Sequence, residues 1–192
     1  ESVASDVFSE YTDSILNALS GLKRDIYGSD DILLADMIEY RALFKCTVAS
    51  PEVSLFYSEL SATNAFMNTI TQKRMLSVKR LAAAFVCGAG EGSAAGLSSE
   101  LAVSLAAGME VFLLRDLCIG NIKLSMNEAV DFFFRSYYRF FTADTRLIEE
   151  KLTISRELVS SLRFTVGERF RVTVVLGCVQ KGFSTSESRA CG

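Results

Sequence analysis

An all-α fold, a helical bundle, is what this sequence predicts, and three observations carry the prediction. Apolar residues recur at helical spacing along most of the chain. Helix caps stand where the apolar runs begin, and the single proline, Pro51, stands directly behind a serine. Strand-like alternation occurs only once, near the end, where a short β-strand is expected.

The first helix is expected from Ser2 to Leu19, with Val7 or Phe8, Tyr11, Ile15 and Leu19 on one side. Gly21 and Gly28 mark a loop. Ser29, Asp30 and Asp31 suit the cap and first turn of a helix that ends near Ala49, because a side-chain oxygen there satisfies free backbone N–H groups. Its inward positions are Leu33, Met37, Tyr40 or Arg41, and Phe44. Ser50 then caps a third helix that starts on Pro51, a residue whose missing N–H costs nothing in a first turn.

Residues Thr63 to Cys87 predict one long helix or two in tandem, with Thr71 to Arg74 interrupting its apolar face. The simplest reading of Gln72, Lys73 and Arg74 is a solvated face, with a ligand handle as the alternative. GAGEGSAAG, Gly88 to Gly96, reads as a linker, since neither spacing of a nucleotide-binding glycine loop is present. Ser98 or Ser99 caps the next helix, which ends near Gly120. Ser125 and Glu128 then form a capping box.

That last helix is unusual. Seven of the ten residues from Phe132 to Phe141 are aromatic. Glu128, Asp131, Arg135 and Arg139 share one sector, and Asp131 with Arg135 suits an i,i+4 ion pair. The aromatics spread over roughly 240° of a helical wheel, against about 100° for a helix with one buried side. The preceding helix is also over-apolar, with Ala102, Ala106, Ala107 and Gly108 for close approach and Met109, Phe112, Leu113 and Leu117 for bulk. Two such helices meeting a second copy would form a four-helix interface. Its expected residues are Ala102, Ala106, Met109, Leu113, Leu117, Val130, Phe133, Phe134, Tyr137 and Phe141. The competing reading makes both helices central in a monomer.

From Asp144 the texture changes. A weaker amphipathic helix is expected through Leu162, with Leu147 or Ile148, Lys151 or Leu152, Ser155 and Leu158 or Val159 inward. Phe170, Val172, Val174 and Leu176 then alternate with Arg169, Arg171, Thr173 and Val175 as one strand, which needs a hairpin partner, another subunit or a different conformation. The tail STSESRACG has the composition of a disordered end. The organisation expected is therefore a helical domain over 1–141 and a C-terminal extension over 142–192.

Composition narrows the function classes. There is no histidine, which removes serine–histidine and cysteine–histidine nucleophiles and imidazole metal ligands; no enzyme activity, cofactor or metal is expected. The net charge of -3 gives no global attraction to nucleic acid. Five cysteines without a CxxC pair read as reduced thiols of a cytoplasmic protein. Leu97 to Ile119 comes closest to a membrane span, but Glu100, Glu110, Arg115 and Asp116 argue against one. The chain has neither start methionine nor basic leader, which suggests that it begins mid-protein.

The order of helices over Glu1 to Phe141 resembles the effector-binding and dimerisation domain of the tetracycline-repressor-like (TetR) family. ESVASDVFSEYTDSILNAL is similar to that family's fourth helix, and GAGEG to the connection before its eighth. SSELAVSLAAGMEVFLLRDLCIG and LSMNEAVDFFFRSYYRFF resemble the eighth and ninth. The resemblance implies a homodimer through those two helices and a cavity for a small apolar or amphipathic effector among the middle ones. Met37, Tyr40, Phe44, Phe56, Phe66, Met67, Ile70 and Phe112 are the candidate lining. It also implies operator DNA as a partner, through a helix-turn-helix head that would precede Glu1. No segment here reads as a recognition helix, and the chain after Phe141 has no counterpart in the pattern. The expected function is a ligand-responsive transcriptional regulator, represented by its sensing and dimerising part. The alternative is a helical interaction or scaffold module without a ligand.

Overall fold

The computed structural model describes residues 3–22, 31–86 and 99–176. Over these residues the chain is mostly helical, and a two-stranded sheet follows the last helix. The helices are α1 (Val3–Ser20), α2 (Ile32–Ala49), α3 (Pro51–Leu60), α4 (Asn64–Val86), α5 (Ser99–Cys118), α6 (Met126–Tyr138) and α7 (Thr145–Ser161). No helix among the described residues is long and apolar enough to cross a membrane. The expected linker Gly88 to Gly96 and the tail STSESRACG lie outside the described residues, as do Cys87, Cys178 and Cys191.

Caps set the helix starts. Asp31 accepts from the Leu34 N–H at 2.9 Å and opens α2. Ser50 caps α3 ahead of Pro51, Ser125 and Glu128 form the full capping box of α6, and Asp144 caps α7. Asp31 also meets Lys151 of α7 at 2.9 Å. Replacing Asp31 by Ala should therefore cost about 1 kcal/mol or somewhat more, since a lost cap typically costs about 0.5–2 kcal/mol. Asp31→Asn, which keeps an acceptor, should lose less; thermal melts of the two variants check this.

The bundle is built around α2, which touches every other described helix. A helix surrounded on all sides has no single apolar face. Both Tyr40 and Arg41, alternatives in the sequence reading, are buried, along with Leu33, Met37, Phe44 and Cys46. The most extensive helix pairs are α4 with α5 and α2 with α7.

The chain beyond Phe141 is continuous with this core. Ile148, Leu152, Ser155 and Val159 are the buried positions of α7. Lys45 of α2 donates to the carbonyls of Val159 and Leu162, at 2.7 and 2.8 Å, where α7 ends and its partial negative charge collects. The strand that needed a partner has one. β1 (Leu162–Val166) pairs antiparallel with β2 (Val172–Leu176), with Leu162 opposite Leu176 and Val166 opposite Val172. Sequence reasoning ran the helix through Leu162 and missed β1, although Leu162, Phe164 and Val166 alternate as a strand requires.

The turn between the strands places Arg169 and Phe170 in the left-handed region, with φ of 53° and 56°. That conformation costs an L-residue about 1–2 kcal/mol. Phe170 is held there because its ring packs on Tyr11 and Phe56, with centroids 6.3 and 5.2 Å apart. Ser14 of α1 bonds the backbone N–H and carbonyl of Val172, so the hairpin is pinned to α1.

The aromatic helix corrects an expectation. Val130, Phe133, Phe134 and Tyr137 are fully buried within one chain, and Phe141, Ala102 and Ala106 nearly so. No second copy is needed to cover them. The Tyr40 ring meets Phe133, Phe134 and Tyr137, and Phe44 meets Phe133. The wide aromatic arc is used because α6 packs against α2, α5 and α7 at once. Met109, Leu113 and Leu117 are half-buried.

The expected Asp131–Arg135 pair is also replaced. Asp131 is buried and accepts from Arg41 of α2 at 2.6 Å and from Arg156 of α7. Arg135 turns outward to Glu149, at 2.6 and 2.9 Å. Two arginines from other helices reach Asp131 first, and neither position is legible from α6 alone. Burial pulls the Arg41 guanidinium below its ordinary pKa and Asp131 offsets part of that. Arg41 also reaches Ser155 and Asn127.

Candidate functional site: a cleft over a buried ion pair

Residues 71–74 look polar in sequence because they have a polar task. At this point of α4 a cleft of about 210 Å³ opens between α1, α2 and α4. Ile15, Leu16, Leu43 and Leu76 give it an apolar side. Lys73, Arg74 and Arg80 come from α4, and Asp13 and Glu39 from α1 and α2. Lys73, Ser77 and Arg80 fall at i, i+4 and i+7, one face of a helix.

The expected solvated face is corrected at two positions. Lys73 donates to the Ser9 carbonyl (3.2 Å), Thr12 (2.5 Å) and Asp13 (2.8 Å), tying α4 to α1. Arg74 turns into the bundle. Its Nε and Nη2 grip the two oxygens of Glu110 on α5, at 2.5 and 2.7 Å, and its guanidinium lies 3.6 Å from the centroid of the Tyr40 ring. Glu110 has no exposure at all. Burial opposes the charge on Arg74, and Glu110 outweighs it, so the net direction of its pKa is upward. A bidentate, stacked guanidinium is an arrangement that lysine cannot reproduce.

Around this ion pair stand the buried tyrosines 40, 57 and 137. Burial raises the pKa of each, and each feels the charges of Arg74 and Glu110. Among the described residues none of the three hydroxyls finds a hydrogen-bond partner; those of Tyr40 and Tyr137 lie close enough to influence each other without bonding geometry. Buried hydroxyls are normally satisfied, so these three are polar atoms left over in an otherwise apolar core.

The next turn of α4 repeats the pattern more weakly. Ser77 donates to Asp36 of α2, and Tyr138 of α6 donates to the other oxygen at 2.6 Å. Burial raises the Asp36 pKa above the ordinary carboxylate value, and the two hydrogen bonds only partly counter it. The folded state thus holds a proton at pH values where the unfolded chain has lost it. Stability should fall as pH rises from the ordinary aspartate range through the raised value. Asp36→Asn should flatten that part of the curve, read from urea midpoints against pH.

The residues expected to line a ligand cavity do not line this cleft. Met37, Tyr40, Phe44, Phe66 and Ile70 belong to the packed core, and Phe56 and Met67 are half-buried. Phe112 corrects its expectation outright: it faces outward, 57% exposed, with Arg115 stacked 5.1 Å from its ring. Apolar spacing marks which residues turn inward, and it does not separate a cavity wall from solid core. The signal for the cleft was the polar interruption itself.

On the outer side of α5, Leu101, Leu105, Phe112 and Ile119 are exposed, and Phe132 of α6 and Leu124 add to them. At 100° per residue the first four fall within a sector of about 40°. A Cβ added at Gly108, on the same side, would meet nothing within 4 Å. The two cysteines described, Cys46 and Cys118, are free thiols, and burial pushes Cys46 up to about 12. Among the described residues no group of three or more Cys, Asp or Glu side chains is placed to hold a metal ion.

No family model, curated protein or solved structure matches this chain. The site is therefore read from its own geometry.

Proposed function

We propose that this chain is the small-molecule-sensing and dimerising part of a ligand-responsive transcriptional regulator of the tetracycline-repressor-like kind. One observation carries the reading: Arg74 lines the cleft and also clamps Glu110 on α5, the helix that bears the exposed apolar stripe. A molecule that alters Arg74 acts directly on the helix offered to a partner. Allostery needs such a shared element between two sites. In this reading the effector is a small amphipathic molecule, and operator DNA is reached through a head outside this chain.

The partner is a second copy. An antiparallel crossing of two α5 helices at Gly108 would pack the Leu101–Leu105–Phe112 stripes together. It would bring the exposed Glu100 of each copy alongside the partner's Arg115. The interface so formed uses the outer side of α5 and Phe132, rather than Phe133, Phe134 and Tyr137, which serve the core.

Sedimentation velocity tests this. The chain is expected to sediment as a dimer at micromolar concentration, and Phe112→Glu as a folded monomer with an unchanged circular dichroism spectrum. A monomeric parent chain would reject the dimer. The scaffold reading keeps one observation in its favour: the middle of the bundle is packed solid at Met37, Phe44 and Phe66.

A further inference from the structure

The cleft's polar groups can be counted as donors and acceptors, spent and unspent. Asp13 is spent on Lys73, and Glu39 is also engaged. Thr12 donates to the Ser9 carbonyl and accepts from Lys73. The three N–H groups of Lys73 match its three bonds. Arg74 has five N–H groups and spends two of them on Glu110. Arg80 makes no hydrogen bond or ion pair with any described residue. What remains unspent is guanidinium, which donates and never accepts. Leu16, Leu43 and Leu76 line the same cleft.

We propose that the cleft binds a small amphipathic anion, its carboxylate or phosphate held by Arg80 with Arg74 behind it, and its apolar body laid against Leu16, Leu43 and Leu76. The inference rests on the ligand-sensing reading above and adds the ligand's chemical class. A cationic head would face two guanidinium groups and find both cleft acids engaged. A neutral hydroxyl would leave the fork of Arg80 without the acceptor that it pairs with best.

The unpartnered tyrosines give the bound state a consequence. An anion that draws Arg74 away from Glu110 would leave a buried carboxylate with no counter-charge. Tyr40, Tyr57 and Tyr137 feel the Glu110 charge, and their hydroxyls have no hydrogen-bond partner among the described residues. Arg74 turning to the ligand would thereby change how α4 is fastened to α5.

The test is isothermal titration calorimetry of the whole chain with four probes sharing one chain length: octanoate, octyl phosphate, octanol and octylamine, all below their aggregation concentrations. Octanoate or octyl phosphate is expected to bind at least about tenfold more tightly than octanol or octylamine, the margin a charge-assisted fork supplies. The stronger of the two anions identifies the head group. Arg80→Ala should lower that affinity about tenfold or more. Arg80→Lys should restore part of it, and Lys79→Ala, next to it and outside the cleft, should leave it unchanged. Arg80 is exposed and has no partner among the described residues, so its variants are expected to melt like the parent. Equal binding of octylamine or octanol, abolished by Leu76→Asp at an exposed position of the cleft, would overturn the anion assignment and leave a ligand site standing. No binding by any probe at millimolar concentration would overturn both the anion assignment and the cleft as a site of this size class.

Discussion

Glu110→Ala is expected to remove about 3–5 kcal/mol of folding stability, the range found when one partner of a buried ion pair is deleted. The reason is what stays behind. Arg74 cannot lose its proton and would remain against the Tyr40 ring with no acid to receive it. Its escape route is the cleft that it lines, so part of the loss is recovered by rotation toward water. Arg74→Ala strands Glu110 instead, and Glu110 has no exposure and no such route. The double variant Arg74→Leu/Glu110→Leu should be clearly better than either single one, since apolar isosteres of a buried pair are often neutral or stabilising. Urea unfolding of the four proteins measures all of this. Equal stability of Glu110→Ala and the parent would show that the pair does not fasten α4 to α5.

Phe133→Ala is expected to cost about 3–5 kcal/mol as well, through the cavity left by a large buried ring. Phe133 touches Tyr40, Phe44, Phe134 and Tyr137, so its loss opens the junction of α2 and α6. The loss should be independent of protein concentration, because all of these contacts lie within one chain. Interface residues behave differently: their contribution scales with association and thus with concentration. Phe112 on α5 and Phe132 on α6, both exposed, supply that contrast. Chemical denaturation at two concentrations about a hundredfold apart separates the cases. A concentration-dependent loss for Phe133→Ala would return this residue to the interface.

Much of the fold was legible because caps and periodicity are local. Asp31, Ser50, Ser125 and Asp144 start helices for reasons contained within four residues. Spacing narrows the inward set of α7 to Leu147 or Ile148, Lys151 or Leu152, Ser155 and Leu158 or Val159, and the buried residues Ile148, Leu152, Ser155 and Val159 fall within it. What stayed hidden depends on which element fills a given sector. The wheel of α6 gives the width of its aromatic arc; it does not say that α2, α5 and α7 share that arc. A charge on a wheel reads as solvated or as paired with its own helix. Asp131, Glu110 and Arg41 are charges whose partners lie on other helices, 25 to 90 residues away. The hairpin was half-read because its first strand starts on the last turn of a helix, where Leu162 fits both periods.

The candidate site shows the same limit from the other side. Met37, Phe44 and Phe66 have the apolar character of a ligand wall and are spent on the core. Lys73 and Arg74, which in sequence read first as a solvated face and only second as a ligand handle, line the cleft. A polar break in an apolar helix face records a place where the bundle fails to close, and closure depends on α1 and α2 rather than on α4 alone.

The most direct test of the account is native mass spectrometry of the purified chain at micromolar concentration. A sensing and dimerising domain predicts the mass of two chains, a small anionic molecule held non-covalently when one is supplied, and loss of the dimer in Phe112→Glu. A bare monomer that neither associates nor retains an added amphipathic anion would contradict it.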